Sequence, residues 1–128
     1  MSRKFIASLT GCLLLGVFVC MPAMGDDDDS KPKITIKDVM KKGFNKRKGL
    51  LPKVTKGSAT DEEKKELHEM FVALSKNKPP RGEEESWKKF TGALVKAGKM
   101  VVDGDEKGVG MLKKAANCAA CHKAHKPK

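Results

Sequence analysis

The chain has 128 residues, with 27 Lys+Arg against 16 Asp+Glu for a formal net charge of +11, four cysteines, one tryptophan and no tyrosine. That length leaves room for one compact domain and excludes two. The lysine excess favours anionic partners, but a chain with so few aromatic residues, and with only Arg47 and Arg81 as arginines beyond residue 25, is a poor fit to nucleic acid.

Residues 1–25 have the layout of an export signal: Arg3 and Lys4 give a positive start, the run from Phe5 to Met21 is mostly apolar, and Ala23-Met24-Gly25 offers small residues for cleavage. Cleavage after Gly25 would deliver the chain to the periplasm with no stable membrane insertion. The alternative is an uncleaved anchor, because the apolar run approaches a short membrane span in length. Leu9-Thr10-Gly11-Cys12 resembles a lipoprotein cleavage box, yet the apolar run continues past Cys12, which argues against lipidation. Removing the leader takes away Cys12 and Cys20 and two of the 27 basic residues but no acidic one, leaving 25 against 16 and a formal +9. Residues 26–32, with the D-D-D-D-S run, are expected to be a disordered acidic N-terminus. Contiguous carboxylates with no turn glycine and no alternate spacing do not suit calcium.

From residue 33 to 128 the pattern is helical. Ile36, Val39, Met40 and Phe44 recur at three- and four-residue intervals and predict a first helix over 34–48, ended by Gly49 and Pro52. Thr60-Asp61-Glu62-Glu63 is a capping-box start to a second helix with Leu67, Met70, Phe71 and Leu74 on one face, stopped by Asn77 and Pro79-Pro80. A third begins near Glu83, carries Trp87, Phe90, Leu94, Val95, Val101 and Val102, and closes at Gly104. A fourth is predicted over 105–126, with Val109, Met111 and Leu112 leading through alanines to a cysteine pair. No segment alternates as a half-buried strand does. The expectation is an all-α domain, an antiparallel up-down-up-down four-helix bundle. The core is thin, because Ala and Gly take many inward positions, and a bulky apolar cofactor would fill it.

The haem expectation comes from Cys118-Ala-Ala-Cys121-His122. C-x-x-C-H is the attachment signature of c-type haem: each thiol adds to a vinyl group and the histidine coordinates iron. A disulfide scaffold is a worse explanation, since so short a loop constrains the unfolded chain little. A zinc site of Cys118, Cys121, His122 and His125 would need its two pairs separated so that the chain can wrap the ion. A thioredoxin-like pair belongs at the start of a helix after a strand, whereas here the cysteines are expected at a helix's end. His125, on the same turn as His122, is assigned to the surface beside the haem edge.

In these residues the chain resembles the class II cytochromes c, the cytochrome c prime family and its low-spin relatives. The resemblance covers about residues 33 to 126 and rests on the Cys118–His122 motif and on Ile36-Lys37-Asp38-Val39-Met40-Lys41, which is similar to the family's distal-side segment. It implies a four-helix bundle with one covalent haem c, Cys118 and Cys121 as thioether anchors, His122 as proximal iron ligand and, as in low-spin members, Met40 as distal ligand. The family commonly has an aromatic residue and then an arginine three and four positions after the haem histidine, where this chain has His125 and Lys126. Family members often dimerise through the first two helices, which leaves a homodimer open, although Lys41, Lys42, Lys46 and Lys48 resist a close self-contact.

Geometry weighs Met40 without the family. It lies about 9 Å into the first predicted helix, and His122 about 6 Å from the end of the fourth, at 1.5 Å per residue. In the expected bundle both fall at one end. Met100 and Met111 fall at the other and are read as packing, and His68 is read as a surface residue. The resulting expectation is an exported monohaem c-type cytochrome that transfers single electrons with acidic redox partners and is not an enzyme. The alternative is a five-coordinate haem protein that binds NO or CO, with Met40 serving only as core.

Overall fold

A computed structural model describes residues 33–128. The expected signal peptide (1–25) and acidic segment (26–32) lie outside the described residues. Among these, every regular element is helical and none is long and apolar enough to cross a membrane.

The chain opens with α1 (Ile36–Asp38), which runs on into a π-helical turn (Val39–Gly43). Thr35 starts it with a capping box: its hydroxyl accepts from the Asp38 amide, and the Asp38 carboxylate accepts from the Thr35 amide. Here the first expectation needs correcting, since no single helix covers 34–48. After Phe44 the Asn45 side chain accepts from the amides of Arg47 and Lys48, turning the chain, and α2 (Leu50–Thr55) begins. Pro52, read above as a stop, sits in the first turn of α2, where a missing N–H costs no intrahelical bond.

The two long helices match their predicted spans. In α3 (Asp61–Lys76), Thr60 and Glu63 form the expected capping box and Asn77 ends the helix. Then α4 (Glu84–Val102) closes at Gly104, whose φ of 76° suits glycine. They run antiparallel: Trp87 near the start of α4 donates from Nε1 to the Asn77 carbonyl at the end of α3 (2.8 Å), and Gly98 faces Phe71 and His68 midway along α3. A Cβ at Gly98 would lie 2.8 Å from the Phe71 ring. Glycine is therefore what lets these helices approach so closely. His68 is half-buried in this contact, with Nδ1 buried and without a partner among the described residues, and so is not the exposed residue that was expected.

The fourth expected helix is also divided. α5 (Gly108–Ala115) returns along α4, its Gly108 against the Val101 backbone, and α6 (Cys118–His125) follows a break at Ala116–Asn117. The break is a second helix start, because the Asn117 side chain accepts from the Ala120 amide. The first arm runs opposite to α3, with Asn77 Nδ2 donating to the Ile34 carbonyl (3.1 Å) and Gly43 beside Met70 and Leu67.

Val39, Leu67, Met70, Phe71, Leu74, Trp87, Leu94, Val101 and Leu112 form one buried cluster, joined by Leu50 and Val54 of α2. Burying each large apolar side chain stabilises by roughly 1.5–3 kcal/mol. The periodic face predicted for α3 is buried in full. In α4 the burial is graded: Trp87 and Leu94 are enclosed, whereas Phe90 is only half-covered and faces a cavity.

Candidate functional site

Where α1 begins, α3 ends, α4 starts and α6 lies, the helices leave a cavity of about 620 Å³. That is within the range of roughly 300–1,000 Å³ typical of small-molecule and cofactor sites. Its walls are mostly apolar. Ile36, Met40 and Phe44 come from the first arm, Leu74 from α3, and Trp87, Phe90 and Leu94 from α4. The remaining wall is the break and α6, with Asn117, Cys118, Cys121, His122 and His125, and Lys46 and Lys126 add two cations.

All four residues singled out from the sequence therefore line one cavity. Met40 belongs to the π-helical turn and is half-buried against the core cluster. In that turn the Phe44 amide donates to the Val39 carbonyl five residues back (3.0 Å). Such single π turns inside helices are frequent at functional sites. Cys118 is exposed, Cys121 half-buried and His122 exposed. Met100 and Met111 are not among the lining residues, and Met70 is core.

The cysteines do not sit at a helix's end as expected. Cys118 is the first residue of α6 and Cys121 lies in its first turn. This removes half of the premise used against a redox pair, and the other half stands, because no strand precedes α6 among the described residues; burial pushes the Cys121 thiol above its ordinary value and the neighbouring Cys118 sulfur adds to the rise.

His125 is the second correction. It is 2 % exposed rather than on the surface. Its Nδ1 lies 2.8 Å from the Arg81 carbonyl and its Nε2 3.1 Å from the Ser86 hydroxyl, while the ring stands edge-on to Trp87 and Phe90 at 5.2 and 6.0 Å between centroids. It packs as an aromatic ring does. With both nitrogens engaged, His125 is not free to complete a Cys2His2 set, and no group of three or more His, Cys, Asp or Glu side chains among the described residues comes together as a metal cage.

Periodicity marked Trp87 and Phe90 as apolar, but nothing in it singled out Arg81, Gly82 or Ser86. The one available signal was Pro79-Pro80-Arg81-Gly82, a turn sequence whose glycine takes φ 82°. No family model, curated protein or solved structure matches this chain.

Proposed function

We propose that this chain is an exported, single-haem c-type cytochrome that carries electrons one at a time. The observation that carries the reading is the convergence of Met40, Cys118, Cys121 and His122, drawn from opposite ends of the described chain, on one apolar cavity. The residues present fit haem. An apolar cavity of about 620 Å³ in so small a domain forfeits packing unless something fills it, and the half-covered faces of Ile36, Phe44 and Phe90 are the ones a flat apolar group would cover. Cys118 and Cys121 would hold the haem through thioether bonds, with His122 and Met40 as the protein ligands of its iron. Haem, when bound, supplies the one-electron couple between ferric and ferrous iron.

The chain's own residues do the rest. Trp87, Phe90 and Leu94 exclude water from one wall. The Met40 thioether is a soft donor that favours ferrous iron and raises the potential. Lys46 and Lys126 at the cavity attract an acidic partner to the side from which an electron would leave. In this reading the fold is a shortened class II four-helix bundle, with its first arm reduced to α1 and the π turn and its fourth interrupted between α5 and α6.

The test is a visible spectrum of the chain produced with haem-attachment machinery, oxidised and reduced, with and without carbon monoxide. Sharp low-spin bands indifferent to the gas are expected. A broad high-spin spectrum that shifts with carbon monoxide would favour gas binding, and a colourless protein would end the cytochrome reading.

A further inference from the structure

Four contacts join α6 to the α3–α4 connection and the start of α4, and none involves the cysteines or His122. His125 Nδ1 meets the Arg81 carbonyl at 2.8 Å and Nε2 meets Ser86 Oγ at 3.1 Å. The Arg81 guanidinium donates from Nη2 to the Lys123 carbonyl at 2.7 Å, one of the last carbonyls of α6. Gly82, with φ 82°, lies so close that a Cβ there would stand 2.7 Å from the Ala124 carbonyl and 3.0 Å from His125 Nδ1. The α3–α4 connection and the end of α6 thus clasp one another, with the imidazole at the centre.

The clasp satisfies the ring completely. A carbonyl only accepts, so Nδ1 carries a proton, and in the neutral ring Nε2 accepts from the Ser86 hydroxyl. The ring edge also fills the angle between Trp87 and Phe90. By contrast, α6 is only eight residues long, and His125 is its one buried residue. A helix that short does not hold itself in place by propensity.

We propose that His125 is the positioning residue of the Cys-pair helix: bound at both nitrogens across the α3–α4 connection, it holds α6 against α4 so that Cys118, Cys121 and His122 line the cavity whether or not a cofactor is attached. The haem significance of that placement rests on the function proposed above, but the clasp does not.

Amide hydrogen exchange on the full chain tests this, both as produced with attachment machinery and in a Cys118→Ala/Cys121→Ala background that carries no covalent cofactor. His125→Phe keeps an aromatic ring between Trp87 and Phe90 but loses both hydrogen bonds. In both backgrounds it is expected to speed exchange of the Cys121 and Lys126 amides at least tenfold while leaving the α3 and α4 amides unchanged. His125→Asn, which keeps a donor toward the Arg81 carbonyl, is expected to restore part of the protection. Ser86→Ala, a milder change, is expected to give a severalfold effect confined to α6, and it decides the matter if His125→Phe does not fold. The proposal is overturned if α6 exchanges alike with and without His125, if all helices speed up together, or if α6 is unprotected in the thiol-free background. A colourless wild-type chain with an intact, His125-dependent α6 would defeat the cytochrome reading and leave the clasp standing.

Discussion

The His125 ring donates from Nδ1 to the carbonyl of Arg81 across 2.8 Å of space and 44 residues of sequence. The contact needs the chain at Gly82 to come within a side chain's width of α6. Gly82 and Gly57 both have positive φ, 82° and 76°, but a Cβ at Gly57 would meet nothing within 4 Å.

Gly57→Ala is therefore expected to cost only the left-handed backbone penalty, about 1–2 kcal/mol. Gly82→Ala adds the collision with Ala124 and His125, for a total of about 2–4 kcal/mol. Urea midpoints of the two variants measure the difference. Equal losses would mean that the connection does not press on α6.

Met40 and Met70 separate ligation from packing. In the haem-loaded chain Met40→Ala is expected to abolish the low-spin spectrum and open the iron to carbon monoxide. Met70 is 3 % exposed in the core, so Met70→Ala should cost about 2–5 kcal/mol of stability and leave the spectrum alone. An unchanged spectrum in Met40→Ala would make Met40 a core residue only.

How far the sequence reached can be judged at individual residues. Thr60, Glu63, Asn77 and Gly104 bound α3 and α4 as predicted, because caps and left-handed glycines are local chemistry legible without tertiary context. Pro52 was misread because proline blocks a helix interior but not a first turn, and which of the two applies depends on where the chain turns back at Asn45. Asn117 was overlooked within a run of alanines, although its side chain is one of the better N-caps. The Cys pair stood out by its spacing and Met40 by helix geometry and the family resemblance, and all three line the cavity. His125 was not, because its burial depends on Gly82, Ser86 and Trp87, which meet it only once α4 and α6 have packed.

Trp87 is the chain's single tryptophan and lines the cavity. Its fluorescence is expected to be strongly quenched in the haem-loaded chain and severalfold brighter in Cys118→Ala/Cys121→Ala. Equal emission from the two would place any chromophore away from this cavity.

Acid should loosen the helix starts. The Thr35 hydroxyl and amide hold the Asp38 carboxyl below its ordinary range, hydrogen bonding and charge from Lys64 do so for Asp61, and the Lys53 ammonium followed by the Thr60 amide do so for Glu63. A depressed carboxylate contributes stability that is fully present above its unfolded-state pKa and is lost as pH falls through the folded one. Asp38→Asn and Glu63→Gln should thus be destabilising at about pH 6, with the gap to wild type narrowing as pH falls below about 4, as read by thermal melts across pH. A gap independent of pH would show that these carboxylates do not act through their charge.

The π turn at Val39–Gly43 has a consequence for insertions and deletions. A π turn holds one residue more than the α turn it replaces, so this segment carries a built-in single-residue insertion. Deleting Lys41 or Lys42 would let it relax to ordinary α-helix at little local cost. Because the five residues of a π turn cover about the same rotation as four in an α turn, the chain on either side would keep nearly its present faces, whereas the same deletion within α3 or α4 would turn one side by roughly 100° against the other. Met40 lies on one side of that joint and Phe44 on the other, and both line the cavity. Both would therefore still face it after the loss of one residue, and the first arm is the wall of this site where a change of chain length is most easily absorbed.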